Sequence, residues 1–142
     1  MTQCAMVTSA LVLLAACGCR SNRPAPGPVS RPCPPATHVD PTAGWELGVG
    51  TAYEAWRGDG RTVHVRAAGE NPSSGYETQI ALSPDRRFPP GVRLVRKPPA
   101  GMAATVMTPF DVCGTIDLDE SLTTVRVIDA ERQQLVIIGP RR

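Results

Sequence analysis

From Trp45 onward, hydrophobic and polar residues alternate in short segments that are separated by turn-forming residues. Apolar positions that recur at every second residue are typical of strands with one buried face, and no window keeps a helical period for more than about two turns. About seven short strands at this spacing indicate an all-β, antiparallel sandwich or barrel at residues 45–142. The predicted strands cover residues 49–56, 62–67, 76–82, 92–94, 105–112, 125–127 and 135–138.

Three of these strands carry more detailed predictions. Val63, Val65 and Ala67 share one face of their strand, which should therefore point to the core. Pro109 interrupts the strand at 105–112 and indicates a sheet edge or a bulge, because proline cannot donate a ladder hydrogen bond. The unbroken apolar run at 135–138 is typical of a central strand that is buried on both faces.

The N-terminal part of the chain follows a different pattern. Ala5–Ala16 is an apolar run that has the length of a signal-peptide core and is too short to span a bilayer. The run ends in Leu14-Ala15-Ala16-Cys17, which resembles the lipobox of bacterial lipoproteins. This resemblance implies a lipoprotein signal peptide at residues 1–16 and a mature chain that begins at Cys17, with lipid on its sulfur and amine.

Two alternatives stay open for this leader. Cys19 is a second candidate for lipidation, but it lacks the large aliphatic residue that Leu14 places three positions before Cys17. An ordinary secretory signal cut nearby would leave the cysteines free or disulfide-bonded.

Residues 17–44 combine the lipidated cysteine with a proline-rich segment. Seven prolines fall between Arg20 and Pro41. Because proline has no backbone N–H, such a segment favours extended polyproline conformations over helix or sheet. The sequence therefore predicts a disordered proline-rich linker that ends where the β domain begins, at residue 45.

Charge and cysteine content narrow the function classes. The formal net charge is +2, which gives no basic footprint for nucleic acid. Once Cys17 is lipidated, Cys19, Cys33 and Cys113 remain in the mature chain, and Cys33 could pair with Cys113. The alternative, which we favour because the spacing matches no recognised disulfide framework, is that Cys113 is a small buried apolar residue.

The sharpest motif in the predicted domain is Asn71-Pro72-Ser73-Ser74-Gly75-Tyr76. Asn-Pro favours the entry to a turn, the serines can bind loop amides, and Gly75 allows a positive φ just before the next strand. The hexapeptide resembles the Asn-Pro-Thr-Thr-Gly-Tyr/Phe loop of chagasin-like inhibitors of papain-type cysteine proteases. That resemblance implies an immunoglobulin-like β-sandwich that presents this loop to a protease cleft, although the family's second and third loops have no convincing counterpart here.

A second resemblance covers Arg61–Gly139. This stretch is similar to the small β domain of bacterial PrcB-type proteins, through Ser74-Gly75-Tyr76, then Pro98-Pro99-Ala100-Gly101, then Thr108-Pro109-Phe110. The resemblance implies a non-catalytic accessory role beside a protease or another partner protein. The residues expected to contact a partner are Asn71, Pro72, Ser73, Ser74, Gly75, Tyr76, Pro98, Pro99 and Gly101.

No catalytic, metal or cofactor site is expected. His38 and His64 are the only histidines, and neither has a second imidazole at the spacing of a zinc hydrolase site. A Ser-His-acid triad would need His64 as its base, and the Ser73-Ser74 turn lacks the context of a nucleophile elbow.

These observations predict a non-enzymatic lipoprotein of the bacterial cell envelope. The lipid would hold it to a membrane, most simply the outer membrane on its periplasmic side, and loops of the β domain would bind a protein partner. Two alternatives stay open, namely direct inhibition of papain-like proteases and a structural envelope lipoprotein without a loop-centred site.

Overall fold

The computed structural model describes residues 32–141, which form an all-β domain. The seven predicted strands are all present, and a two-residue strand precedes them. The only helical element in this part of the chain is a short 3-10 turn at Pro41–Ala43. The strands are β1 (Glu46–Leu47), β2 (Ala52–Arg57), β3 (Thr62–Asn71), β4 (Glu77–Leu82), β5 (Gly91–Lys97), β6 (Thr108–Asp117), β7 (Thr124–Ile128) and β8 (Gln133–Gly139).

The eight strands form one curled sheet of mixed direction. Their order is β1-β5-β7-β8-β2-β3-β6, and β4 pairs with β5. The purely antiparallel prediction is wrong, because β2 pairs with β8 and β5 with β7 in parallel. The strands of each parallel pair are separated by one or more other strands in the chain, so no tight turn between them imposes the antiparallel direction that a hairpin requires.

The core forms on the face that the alternation of β3 predicts. Val63, Val65 and Ala67 are fully buried, which confirms that prediction, while Arg66 between them is exposed. The remaining core side chains come mainly from β2, β4, β5, β6 and β7, and burial of these aliphatic groups is the main favourable term in folding. They include Ala55, Ile80, Val92, Leu94, Ile116, Leu118, Val125 and Val127.

Strand β8 differs from its prediction. Leu135 is 60% and Ile137 is 77% exposed, so β8 is not buried on both faces. The pleat directs these two side chains away from the core, whereas Val136 and Ile138 pack against it. The sequence could not reveal this, because an apolar run looks the same whether or not another layer covers its outer face.

Strand β6 lies at one end of the sheet, as Pro109 predicts, but it begins at Thr108 and not at residue 105. Its first residue pairs with Asn71, the last residue of β3. Beyond Asn71 the chain turns at Pro72, so residues before Thr108 have no strand partner.

An N-terminal strap, Pro34–Thr37, closes the curled sheet. Pro35 forms a parallel bridge to Thr115 of β6, and Thr37 forms one to Ala81 of β4. The backbone hydrogen bonds run from Ala36 N to Thr115 O at 2.8 Å, from Thr115 N to Pro34 O at 2.8 Å and from Leu82 N to Thr37 O at 3.0 Å. The strap therefore spans the edges of β4 and β6, whereas the sequence prediction begins the folded domain only at residue 45.

Two features hold the strap against β6. Cys33 and Cys113 form a disulfide with their Cα atoms 5.2 Å apart, so the favoured prediction of an unpaired Cys113 is wrong. Gly114 lies beneath Ala36 and Ile80, and a Cβ added at Gly114 would stand 2.9 Å from the Ile80 Cβ atom. The absence of a side chain there lets β4 and the strap approach β6 closely.

The leader lies outside the described residues, and so do the predicted lipidation site at Cys17 and the first part of the linker. Between residues 32 and 141, no helix is long and apolar enough to cross a bilayer.

Candidate functional site

The loop Asn71–Tyr76 joins β3 to β4, where the sequence motif predicts a turn. Gly75 has φ +82°, which confirms the expected left-handed backbone before the strand restarts. Pro72 and Gly75 are exposed, and Ser73, Ser74 and Tyr76 are half-buried. The loop therefore presents backbone and small side chains to its surroundings.

Asn71 holds this loop from below. It is 4% exposed, and its Nδ2 donates to the Thr78 Oγ1 atom at 2.9 Å, across the base of the loop. Its Oδ1 is buried without a hydrogen-bond partner among residues 32–141. Asn71 thus positions the loop, and direct contact with a partner falls to the residues that follow it.

A second loop, residues 98–107, lies against the first one. The Ser74 N–H donates to the Ala104 carbonyl oxygen at 3.2 Å. A Cβ placed on Gly75 would stand 3.2 Å from the Pro99 Cβ atom. The structure therefore brings together the two segments that the sequence selects, although 22 residues separate Tyr76 from Pro99 in the chain. We call residues 71–76 and 98–107 the two-loop surface.

Large apolar side chains extend from the second loop. Met102 is fully exposed, Val106 is 61% and Met107 is 57% exposed. The sequence prediction assigns Val106 and Met107 to a strand and does not identify them as exposed loop residues, because their spacing fits a strand as well as a loop. A hydrogen bond from Val106 N to Ala104 O at 2.8 Å turns the chain before β6 can begin.

Tyr76 is fixed at the edge of the two-loop surface. The guanidinium carbon of Arg96 lies 5.1 Å from the centroid of the Tyr76 ring, and Arg96 Nε donates to Glu46 Oε1 at 2.7 Å. Arg96 pairs with Thr78 on one edge of β5 and with Glu46 on the other. Tyr76 therefore offers a rigid aromatic ring, the kind of group that is enriched where proteins bind proteins.

The chemistry of the two-loop surface suits binding. Its two segments contain hydroxyls, prolines and apolar groups, and no His, Cys, Asp, Glu, Lys or Arg. Tyr76 is its only titratable side chain, and its methionines offer flexible, polarisable contacts that adapt to different partner surfaces.

His64, the one candidate base in the predicted domain, lies in another environment. Its ring stacks on Trp56, with centroids 5.3 Å apart and planes 7° from parallel. Its Nδ1 is buried and has no hydrogen-bond partner within the described chain, so the structure does not align it with a carboxylate and a hydroxyl. Residues 32–141 also contain no group of three or more His, Cys, Asp or Glu side chains that could hold a metal ion.

A shallow cleft of about 550 Å³ opens where β2 and β8 separate. The two strands pair only at Ala55–Ile138 and Trp56–Gly139. Exposed Leu135 and Ile137 lie along one wall, and Tyr53 lies along the other.

The Tyr53 hydroxyl donates to Asp129 Oδ2 at 2.6 Å, and burial together with this carboxylate raises the pKa of Tyr53. Burial alone would raise the pKa of Asp129. Hydrogen bonds from Tyr53 and from the backbone N–H groups of Arg132 and Glu131 outweigh that effect and lower it. Because the Tyr53 hydroxyl and the Asp129 carboxylate each provide the hydrogen-bond partner that the other needs, the pair stabilises the turn between β7 and β8.

Comparison with protein-family models, with curated proteins and with solved structures finds no match to this chain.

Proposed function

We propose that this protein is a lipid-anchored, non-catalytic binding module of the bacterial cell envelope, and that the two-loop surface binds a partner protein. In this proposal Cys17 carries the lipid, and a proline-rich linker joins it to an immunoglobulin-like sandwich. The contact of Ile80 in β4 with the position of Gly114 in β6 supports a two-layer arrangement. The lipobox resemblance supports the anchor, and in this proposal the anchor lies in the outer membrane and faces the periplasm.

One observation carries the binding role. Two loops that are distant in sequence meet at Gly75 and Pro99, and the second loop exposes Met102, Val106 and Met107 beside them. Large contiguous exposed apolar patches are rare on monomeric soluble proteins and mark interaction sites. Three large exposed apolar side chains within residues 102–107 support such a site here. The fixed loop base at Asn71 lowers the ordering cost of binding.

Affinity capture with matched variants tests this role. We would replace Met102, Val106 and Met107 by serine in the tagged full-length protein and compare it with Leu135→Ser/Ile137→Ser, which changes the other exposed apolar pair. Proteins captured from solubilised envelope would be quantified by mass spectrometry. We expect the triple variant to lose the specific partner at least about tenfold, and the double variant to retain it.

The reverse result would support a different function. The exposed Leu135 and Ile137 on β8 favour a structural envelope lipoprotein that packs against other components through its sheet. If the partner is lost only from the Leu135→Ser/Ile137→Ser variant, the loop-centred proposal is wrong and the structural one takes its place.

Inhibition of papain-like proteases is a narrower version of the binding role. It is favoured by the position of Asn71-Pro72-Ser73-Ser74-Gly75-Tyr76 at a loop tip beside a second loop. Titration of papain with the purified protein decides it, because a complete lack of inhibition at micromolar concentration excludes this role.

The anchor needs a separate test. Cys17→Ser should abolish lipid attachment and move the protein from the membrane to the soluble fraction, whereas Cys19→Ser should change neither. Mass spectrometry of the N-terminal peptide would show the lipid directly. Unchanged membrane fractionation and processing of the Cys17→Ser variant would contradict the lipoprotein assignment.

A further inference from the structure

We propose that the Cys33–Cys113 disulfide is a redox-sensitive latch, which keeps the N-terminal strap in the gap between β4 and β6 and releases it on reduction. The released strap would expose the edges of both strands. This inference extends the proposed function, because it controls how the domain is connected to its linker.

The strap's own contacts with the domain are few. Three backbone hydrogen bonds join it to β4 and β6, and Ala36 is its only side chain in the core. Pro34 and Pro35 are exposed and have no N–H to donate, and Thr37 is exposed as well. Ordering the backbone of each strap residue opposes these contacts, so the covalent bond at Cys33 is what makes the docked state favourable.

The position of the disulfide allows a reductant to reach it. Cys33 and Cys113 are half-buried, whereas the core beneath them is closed. Exposed disulfides tend to have labile or regulatory roles, and the partial exposure of both cysteines places this bond between those and a fully buried structural disulfide. Cys113 lies on β6, which is an end strand of the sheet, so breaking the bond removes no pairing between β3 and β6.

The chemical step is thiol–disulfide exchange with a dithiol reductant. One thiolate of the reductant attacks a sulfur of the Cys33–Cys113 bond, which forms a mixed disulfide and releases one cysteine as a thiolate. The second thiol of the same reductant then attacks the reductant's sulfur in the mixed disulfide and releases the other cysteine. Two cysteine thiols form, two electrons and two protons pass to the protein, and the reductant leaves as its own disulfide. No other co-reactant is needed.

Release of the strap would lengthen the connection to the membrane. With the bond intact, the domain holds the chain from Cys33 onward, and after release the next strand is β1. The residues freed between Cys33 and β1 number about twelve and add roughly 35 Å of reach in an extended chain. This consequence rests on the proposed anchor at Cys17, whereas the latch itself does not.

Hydrogen exchange tests the latch on the purified full-length protein. The amides of Ala36, Thr115 and Leu82 each donate one strap hydrogen bond, and Val125 of β7 reports on the core. After reduction with dithiothreitol in native buffer, we expect the three strap amides to exchange at least about tenfold faster while Val125 stays protected. Alkylation of Cys33 and Cys113 confirms that reduction is complete.

A variant makes the test independent of the reductant. Cys33→Ser in non-reducing buffer should give the same exchange pattern as the reduced wild-type protein. Two results would overturn the latch: strap amides that stay protected in fully reduced protein, or reduction and exchange that occur only when Val125 loses protection too. Neither readout requires lipid, so failure of the latch and failure of the anchor can be told apart.

Discussion

At the scale of single residues, the pair Tyr53 and Asp129 shows how much one contact can fix. Asp129 is 5% exposed and accepts hydrogen bonds from the Tyr53 hydroxyl and from the backbone N–H groups of Glu131 and Arg132. A buried carboxylate is tolerated only when such donors replace water. The β7–β8 turn therefore depends on a residue of β2 that lies far away in the sequence.

Tyr53→Phe should destabilise the domain by about 1–3 kcal/mol, because it leaves a buried carboxylate with one donor fewer. Urea unfolding followed by tryptophan fluorescence measures the change. Tyr76→Phe is the matched control, since it keeps the ring under Arg96, and it should change the free energy of unfolding by less than about 0.5 kcal/mol. Equal effects of the two variants would contradict the assigned role of Tyr53.

The same carboxylate predicts a pH dependence. The folded-state pKa of Asp129 is lowered, so its contribution is present above the unfolded pKa of about 4 and is lost as the pH falls through the folded value. The wild-type protein should therefore lose stability on acidification below about pH 4. Asp129→Asn should lose less over the same window, which urea midpoints measured from about pH 5 to about pH 2 would show. Parallel curves for the two proteins would exclude this linkage.

At the scale of elements, Gly114 decides how closely β6, β4 and the strap can pack. A methyl group at this position would stand 2.9 Å from the Ile80 Cβ atom and 3.5 Å from the Ala36 Cβ atom. Real Cβ atoms do not approach a branched side chain that closely, so one of the neighbouring elements would have to move. The glycine is required by this packing and not by a turn.

Gly114→Ala should therefore destabilise the domain by about 1–3 kcal/mol through overpacking. Gly101→Ala is the matched control, because nothing lies within 4 Å of its added Cβ, and it should be close to neutral. Thermal unfolding of the two variants is the measurement. A neutral Gly114→Ala would mean that β4 and β6 are farther apart than the structure has them.

Strand β8 shows that an apolar run does not by itself indicate which of its side chains are buried. Its apolar run predicts a strand, and the strand is there, but Leu135 and Ile137 point outward. Their cross-strand neighbours on β7 are Arg126 and Thr124, which are polar. Arg126 is nevertheless only 2% exposed, because its guanidinium pairs with Asp85, so the polarity of these neighbours does not mark an exposed outer face either.

At the scale of the whole molecule, the strap changes where the domain begins. The path of the sheet ends at β6 on one side, β4 lies outside that path, and the strap bridges the two. Unpaired strand edges invite association with other chains, and proteins usually cover or blunt them. Here the cover comes from a proline-rich segment that the sequence assigns to the linker.

Truncations test this boundary. A chain starting at Pro32 should unfold at the same denaturant concentration as the full-length protein, since it keeps the strap and the disulfide. A chain starting at Trp45, the boundary predicted from sequence, should be less stable by about 2–4 kcal/mol and more prone to associate. Urea unfolding and analytical ultracentrifugation would measure both properties. Equal stability of the two chains would show that the strap is not part of the domain.

The sequence alone determined the strand content of this protein, the buried face of β3, the edge position of β6 and the turn at Gly75. These features are local, because side-chain alternation and backbone freedom act within a few residues. It also selected two of the loop segments that meet in space, although only by resemblance.

Tertiary structure decided the remaining features. Four features depend on which distant segments become neighbours. They are the parallel pairings, the docking of the strap, the Cys33–Cys113 bond and the exposure of Leu135, Met102 and Met107. Contacts between residues far apart in the chain leave no periodic trace in it, because each side only has to be apolar or extended to take part. Such features follow from the way that the curled sheet closes, and no local stretch of sequence contains that information.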